Sequence, residues 1–316
     1  GEGSLYSNTT GYYNTAIGER SLYSNTTGYF NTALGYYSLH YNTTGNYNTA
    51  IGVNSLSANT TGGWNTALGY YSLYSNTTGF YNTAIGERSL YYNTTGYYNT
   101  AIGEGSLYSN TTGYYNTAIG AYAGQYIANG TTANQTSNSS TYLGYNTKAL
   151  ADGDTNEIVI GYNATGYGSN SVVLGNDSIT KTILKGDVSV SGSVTATAFN
   201  PPSDIRLKEN IKPIESSLTK LLQLNGYTFN WKDGRDKETH IGLIAQEVEK
   251  VFPEVVHTDS TTGLKSLEYA NMVAPIIEGV KDQQSQIEDL KKQIQDQQSQ
   301  IDELKQQINL LMKKNK

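Results

Sequence analysis

Apolar and polar positions along the first 119 residues recur with a period of 17. The string NTAIG or NTALG starts at Asn14, Asn31, Asn48, Asn65, Asn82, Asn99 and Asn116, and Ser-Leu (from Ser4) and Asn-Thr-Thr-Gly (from Asn8) keep the same interval. Seven copies in register mean stacked units. Thr-Ala-Ile is short and β-compatible, Gly18 and its equivalents permit one turn, and Asn-Thr-Thr-Gly signals another. A unit of 17 residues with two turns is too short for a helical hairpin and suits one coil of a β-solenoid. Stacking aligns identical side chains, so the Ile17, Leu34, Ile51, Leu68 column is expected to fill the interior and the Asn columns to form hydrogen-bonded ladders. At about 4.8 Å per coil, seven coils make a rod of roughly 34 Å.

Beyond Gly120 the pattern loosens. Leu143-Gly144, Ile160-Gly161 and Leu174-Gly175 repeat the apolar-Gly step, and the polar stretch Ala128 to Ser140 reads as an irregular loop or insertion. Residues Asp187 to Phe199 alternate with period two, which predicts a half-buried strand. Pro201-Pro202 removes two N–H donors and makes a boundary. A helix is predicted from Ile214 to Leu224, a strand at YTFNWK, and a second at the IGLIA that follows His240. From Val273, apolar residues recur at Val280, Ile287, Ile294, Ile301 and Ile308, with Ile276, Leu290, Leu304 and Leu311 three positions later. Gln283 and Gln297 interrupt the second column. Sustained heptads predict a coiled coil whose Gln layers set register; Ile at a with Leu at d leans toward two strands.

Composition separates two halves. Residues 1–199 carry 26 of the 28 Tyr and 14 charged residues, whereas 203–316 carry 34 charged residues. The chain of 316 residues has a formal net charge of -6, which gives no support for nucleic-acid or anionic-membrane binding. The absence of Cys excludes a thiol nucleophile or Cys-ligated zinc, and 3 His leave little for another metal; no cofactor is expected. No apolar run approaches the roughly 20 residues of a membrane span, so no membrane insertion is expected. The chain reads as soluble and as a fragment of a longer one.

The paired positions before each NTA read Tyr12-Tyr13, Tyr29-Phe30, Asn46-Tyr47, Gly63-Trp64, Phe80-Tyr81, Tyr97-Tyr98 and Tyr114-Tyr115. Such a column is either a glycan-binding stripe or packing between coils or chains, and packing is the favoured reading. The NTT sequons are read as turns rather than glycan acceptors.

The 17- and 14-residue repeats resemble the β-roll heads of trimeric autotransporter adhesins and the stalks of phage tail fibres, over roughly residues 1–180. The blocks SDIRLKENIK (203–212), YTFNWK and HIGLIAQEVEKVFPEVV, in that order, resemble the C-terminal intramolecular chaperone domain of endosialidase-type tailspikes. That resemblance implies a domain that trimerises, assists folding of the preceding β-rich stalk and releases itself with a Ser-Lys dyad, here Ser203 and Lys208. It also implies a mainly β homotrimer: a solenoid (1–124), degenerate repeats and neck (125–202), a small α+β chaperone and autoprotease domain (203–272) and a coiled coil (273–316).

Chemically, a Ser hydroxyl needs a base, and a Lys serves when desolvation lowers its pKa. Spacing alone would leave Ser203 and Lys208 an ordinary linker Ser and a solvated Lys. Five residues apart, they lie about 140° apart on a helix and on opposite faces of a strand, so a turn or another chain must join them. Asp204, Arg206 and Asn210 could orient the pair or form structural ion pairs; His240 could shuttle a proton, though a structural role is favoured. Attack by Ser203 on the Pro202 carbonyl closes a five-membered ring, which favours cleavage between Pro202 and Ser203.

The expected function is a self-cleaving, single-turnover trimeric fibre segment of a virion tail or surface appendage, acting in cis or between subunits. Its partners would be itself and a host-surface glycan or receptor. The alternative is a non-cleaving structural fibre or surface adhesin. A glycan hydrolase finds no support, because the repeats offer acidic residues only at the position of Glu19, Glu87 and Glu104, which is exposed and substitutable.

Overall fold

Each Thr-Ala-Ile or Thr-Ala-Leu triplet forms a three-residue strand, bounded on one side by Asn and on the other by Gly. In the computed structural model, which describes residues 1–234 and 237–314, these are β1 (Thr15–Ile17), β2 (Thr32–Leu34), β3 (Thr49–Ile51), β4 (Thr66–Leu68), β5 (Thr83–Ile85), β6 (Thr100–Ile102) and β7 (Thr117–Ile119). β8 (Thr141–Leu143), β9 (Ile158–Ile160) and β10 (Val172–Leu174) continue the ladder into one ten-stranded sheet in sequence order. Neighbours are parallel and in register, Ala16 on Ala33 and Ala33 on Ala50. The fold of this half is therefore a parallel β-solenoid, as the period predicts. Between β7 and β8 the chain takes a longer excursion, where Tyr126 and Ala133 close a small antiparallel turn; this is the insertion expected over Ala128 to Ser140.

The interior is not the one the sequence suggested. Ile17 is 58% exposed, and Leu34 and Leu68 are 42% and 41% exposed. Ile51 is half-buried, so the Ile/Leu column faces outward. In a strand only alternate residues share a face, and the triplet turns its central residue inward: Ala33, Ala50, Ala67, Ala84, Ala101 and Ala118 are fully buried. Opposite them sit the leucines of Ser-Leu, Leu22, Leu39, Leu56, Leu73 and Leu90, also fully buried. A coil this thin has room for one large and one small apolar side chain per rung. Leu22 and its equivalents adopt left-handed backbone (φ 51° at Leu22). That conformation costs roughly 1–2 kcal/mol for a residue with a Cβ, and complete burial of a Leu returns about 1.5–3 kcal/mol.

Two asparagine ladders run along the rod. Asn25 Nδ2 donates to Asn8 Oδ1 at 2.7 Å and to Gly28 O at 3.0 Å. In the second ladder Asn48 Nδ2 donates to Asn31 Oδ1 at 3.1 Å and to Gly62 O at 2.9 Å, while Asn31 Oδ1 also accepts from the Asn48 N–H at 3.0 Å. The sequon asparagines Asn25, Asn42, Asn59, Asn76 and Asn93 are fully buried, which fits their reading as turns. Gly18 and its equivalents are required by close approach. Gly18 has φ 131°, and a Cβ there would lie 2.4 Å from the Gly35 carbonyl oxygen of the next coil.

Contacts group residues Gly1–Val190 and Ser191–Lys316 into two compact units. Residues 187–199 are not a strand: Val188, Val190, Val194 and Phe199 are 63%, 49%, 57% and 70% exposed, and no ladder forms in this stretch. The alternation is present, but no strand of the chain pairs with it. In the second unit the helix expected over 214–224 is only α1 (Ser217–Leu221), because Ser216, immediately before it, is left-handed (φ 54°). β11 (Tyr227–Phe229) pairs antiparallel with β12 (His240–Gly242), and β13 (Val256–Thr258) with β14 (Lys265–Leu267). α2 (Ala245–Val248) supplies Val248 to a small core with Phe252 and Met272, against which Ile214, Leu221 and Leu224 pack.

α3 (Val273–Lys314) is 42 residues long. Near its start Gly279 admits α1: an added Cβ would lie 2.6 Å from Leu221 Cδ1. The Asp282 carboxylate, one turn on, accepts from the Leu218 N–H at 3.3 Å. Further along, the heptad residues Ile287, Leu290, Ile294, Ile301, Leu304 and Ile308 are all exposed. Residues 315–316 of the expected coiled coil lie outside the described residues. Among the described residues, no helix is long and apolar enough to cross a membrane.

Candidate active site at the Ser203 turn

Extended chain through Pro201 and Pro202 leads into a single 3-10 turn, Ile205–Leu207. Asp204 caps that turn: its side chain accepts from the Arg206 N–H at 2.9 Å. Lys208 closes it, donating its own N–H to the Ile205 carbonyl. Three residues per turn fold the segment back on itself, and Lys208 Nζ comes to 2.8 Å from Ser203 Oγ. The local turn thus joins two residues that neither a helix nor a strand would have brought together. Both are solvent-exposed in the single chain.

Asp204 and Arg206 are engaged with each other. The guanidinium grips the carboxylate through Nε (3.0 Å) and Nη2 (2.7 Å), and that bidentate contact with the backbone cap holds the Asp204 pKa below its usual value. Their geometry shapes the turn. Asn210 reverses the chain after Lys208 in left-handed conformation (φ 54°) and lines a cavity with Lys212, Ile214, Phe252 and Pro275. His240 lies on β12 opposite Phe229; its ring stacks on Phe229 (5.5 Å between centroids, 29° between planes) and leans on Trp231. The capping role of Asp204 was not read from the sequence, although Asp two residues before Arg in SDIR is the pattern that carries it.

On the solenoid, the aromatic column Tyr13, Phe30, Tyr47, Trp64, Tyr81, Tyr98, Tyr115 is a continuous stack. Tyr47 and Trp64 centroids are 5.1 Å apart at 14°, and Trp64 and Tyr81 5.1 Å apart at 17°. A second column stacks Tyr12 on Tyr29 and Phe80 on Tyr97, and breaks at Asn46 and Gly63. The ring faces are spent on each other between coils, so edges rather than faces meet solvent. The rings of the first column pack between coils and each keeps 41–74% of its residue's surface exposed. Glu87 pairs with Arg88 (3.8 Å) and Glu104 accepts from Tyr122 Oη (2.5 Å).

Glu157 ends the second asparagine ladder, one coil beyond Ser140. It is fully buried, accepting from the N–H groups of Gly168 (2.9 Å) and Leu150 (3.3 Å). Burial raises its pKa, while those two bonds oppose the rise. Its neighbour Tyr142 is pushed up to about 12 by burial, with the Glu157 charge adding to the effect.

A solenoid followed by a short 3-10 turn, a small α+β core and a long heptad helix defines a class: a repeat stalk with a C-terminal chaperone domain. Residues 203–257 match the family described as "Chaperone of endosialidase", a family of self-cleaving chaperone domains. The chain is also similar to long tail fibre proteins Gp37 of phages. It is 31% identical to that of Enterobacteria phage K3 over 162 residues, covering 49% of this chain and 13% of the relative. To that of Salmonella phage S16 it is 34% identical over 110 residues, 32% of this chain and 15% of the relative. To that of Escherichia phage AR1 it is 43% identical over 63 residues, 18% and 6%. The chain therefore spans only 13% of the length of the K3 relative and 12% of that of phage T2.

Proposed function

We propose that this chain is a segment of a homotrimeric phage tail fibre, carried on the virion, whose residues from Ser203 onward act as an intramolecular chaperone and release themselves by autoproteolysis. The observation that carries the catalytic part is the 2.8 Å contact between Lys208 Nζ and Ser203 Oγ inside the segment that matches the chaperone family.

In this reading Ser203 Oγ adds to the carbonyl carbon of Pro202 through a five-membered ring as its proton passes to Lys208 Nζ. The bond from the Pro202 carbonyl to the Ser203 nitrogen breaks, that nitrogen takes the proton, and an ester joins Pro202 to Ser203 Oγ. Water hydrolyses the ester, leaving a carboxylate at Pro202 and a new N-terminus at Ser203. An amine works as a base once water is excluded around it, and both side chains are exposed in one chain. Covering by neighbouring copies therefore couples cleavage to assembly. The uncovered heptad stripe of α3 supports that assembly, since an apolar seam sustained over this length is stable only against partner helices. A host-surface receptor would be met by the stalk.

Intact mass measurement of the purified protein tests the reading. Wild type should give fragments ending at Pro202 and beginning at Ser203, and Ser203→Ala or Lys208→Ala should remain whole. A wild-type trimer that stays intact overturns the enzymatic part and leaves a structural fibre with a trimerising domain.

A further inference from the structure

The Asp, Glu, Lys and Arg residues of positions 1–119 are Glu2, Glu19, Arg20, Glu87, Arg88 and Glu104, and all stand in the two positions after Gly1 or its equivalents. Those positions form one edge of the solenoid. Ionised groups resist burial without partners, so this edge faces water. Five successive coils, from Arg20 to Arg88, fill the second position with a side chain; Gly105 leaves it bare, and Tyr122 fills it again one coil on. Arg20 donates to Tyr37 Oη of the next coil and lies over its ring, 5.5 Å from the centroid. Arg88 meets Gly105 there instead, and has Glu87 at 3.8 Å.

The gap is a cavity of about 230 Å³ lined by Arg88, Glu104, Tyr108, Tyr122, Gln125 and Tyr126. Gln125 ends the stack of Tyr74, Tyr91 and Tyr108 by standing where the next ring would be. It is 7% exposed, and its Oε1 has no hydrogen-bond partner among the described residues. That oxygen lies 3.8 Å from the point a Cβ on residue 105 would occupy, and Tyr122 Cδ1 lies 2.8 Å from the same point. The amide and the ring therefore share the space that Gly105 leaves. At the exposed rim Glu104 Oε1 accepts from Tyr122 Oη at 2.5 Å.

We infer that this notch binds one pyranose ring of an uncharged glycan. It gives a chemistry to the receptor contact assigned to the stalk, and rests on that reading for its biological role alone.

The lining selects the ligand. Gln125 Oε1 and the Glu104 carboxylate call for a donor, while Arg88 calls for an acceptor, and a hydroxyl is both. An anion would face Glu87 and Glu104, an ammonium would face Arg88, and an apolar ligand would leave Gln125 buried without a partner. The tyrosines offer apolar ring surface to the C–H face of a sugar. Pockets for drug-sized ligands begin at about 300 Å³, so the notch takes a single ring. Tyr122 and Gln125 turn on free side-chain torsions, and the sugar reaches the amide oxygen by displacing the Tyr122 ring.

Saturation-transfer NMR on the full-length protein tests this with the methyl glycosides of glucose, galactose, mannose and N-acetylglucosamine, light scattering giving the mass of each sample. Asn54 occupies the equivalent position in similar backbone (φ 55° against 60° at Gly105), so Gly105→Asn should keep the coil and fill the gap. Gln125→Met keeps the volume and removes the acceptor. We expect at least one of the four sugars to bind with a Kd on the order of millimolar, as suits so small a contact. Both variants should weaken it at least tenfold at unchanged mass, and Glu19→Gln, five coils before Glu104, should bind as wild type does. No transfer from any of the four sugars, undiminished transfer in Gly105→Asn or Gln125→Met, or an equal loss in Glu19→Gln overturns the inference. Each of these results leaves the fibre and its cleavage standing, since intact mass tests them separately.

Discussion

Asn65 offers the sharpest test of what holds the stalk together. It is 1% exposed and sits mid-ladder. Its Nδ2 donates to Asn48 Oδ1 (3.1 Å) and Gly79 O (2.8 Å), and its Oδ1 accepts from the Asn82 N–H (3.0 Å) and Asn82 Nδ2 (3.2 Å). In Asn65→Ala, Gly79 O keeps Asn76 Nδ2 (3.0 Å) and Asn48 Oδ1 keeps the residue-65 N–H (3.0 Å). The Asn82 N–H loses its acceptor. An orphaned buried donor costs about 1–3 kcal/mol and each of the three other lost bonds about 1 kcal/mol, so the variant should lose about 4–6 kcal/mol. For a unit of this size that is a fall of about 8–24 °C in Tm. Asn65→Asp should be worse at neutral pH: it still accepts from Asn82, but it sets a buried carboxylate against two oxygens that previously accepted from it. Burial raises that carboxyl's folded pKa, so the penalty is relieved as pH falls through it. The assay is a thermal melt of the assembled protein by circular dichroism at one scan rate, because fibre unfolding is governed by rate. Melting of Asn65→Ala within about 1 °C of wild type, or Asn65→Asp no less stable than Asn65→Ala at neutral pH, would refute the ladder argument.

Other substitutions probe separate links. Gly69→Ala places a Cβ 2.6 Å from the Gly86 carbonyl oxygen at φ 138° and should impair stacking strongly, while Gly192→Ala, with nothing within 4 Å, should leave the melt unchanged. Glu157→Gln should flatten the acid-side pH profile of solenoid stability. The raised Glu157 pKa means that its contribution is complete below the unfolded value and is lost as pH rises through the folded one; an unchanged profile would exclude Glu157 as its source. Asp204→Ala removes the cap of the Ser203 turn and should slow self-cleavage several-fold with trimer mass unchanged, which a time course by gel would show. Truncation after Val280 removes most of the exposed heptad seam and should reduce assembly and processing together. Efficient cleavage by a monomeric truncation would contradict the coupling.

The repeat half was legible because its period is strict: the strands, turns and asparagine ladders each fall where 17-residue spacing puts them. What the sequence did not disclose is which apolar column faces in. Thr-Ala-Ile shows one small and one large apolar residue on opposite faces, and only the thinness of the coil decides that Ala goes inside while Leu22 and its equivalents fill the other wall. Residues 187–199 misled for a different reason. Alternation states a preference for a ladder, and a ladder needs a second strand. At the candidate site, the pairing of Ser203 with Lys208 is invisible to helix or strand periodicity, because a capped 3-10 turn follows neither.

The central claim is that residues 203–316 are needed to build the stalk and dispensable once it is built. An array whose coils are nearly identical specifies alignment between chains weakly, since a shift by one coil restores most contacts. In the proposed trimer a heptad clamp with Gln283 and Gln297 layers supplies a register and a high local concentration. The most direct test compares residues 1–202 expressed alone with the same residues released from the full chain by cleavage, measuring oligomer mass and survival in hot detergent. The account predicts uniform, resistant trimers from the cleaved material and heterogeneous or sensitive species from the chain that never carried the C-terminal domain. Equally uniform and resistant trimers from both would contradict it.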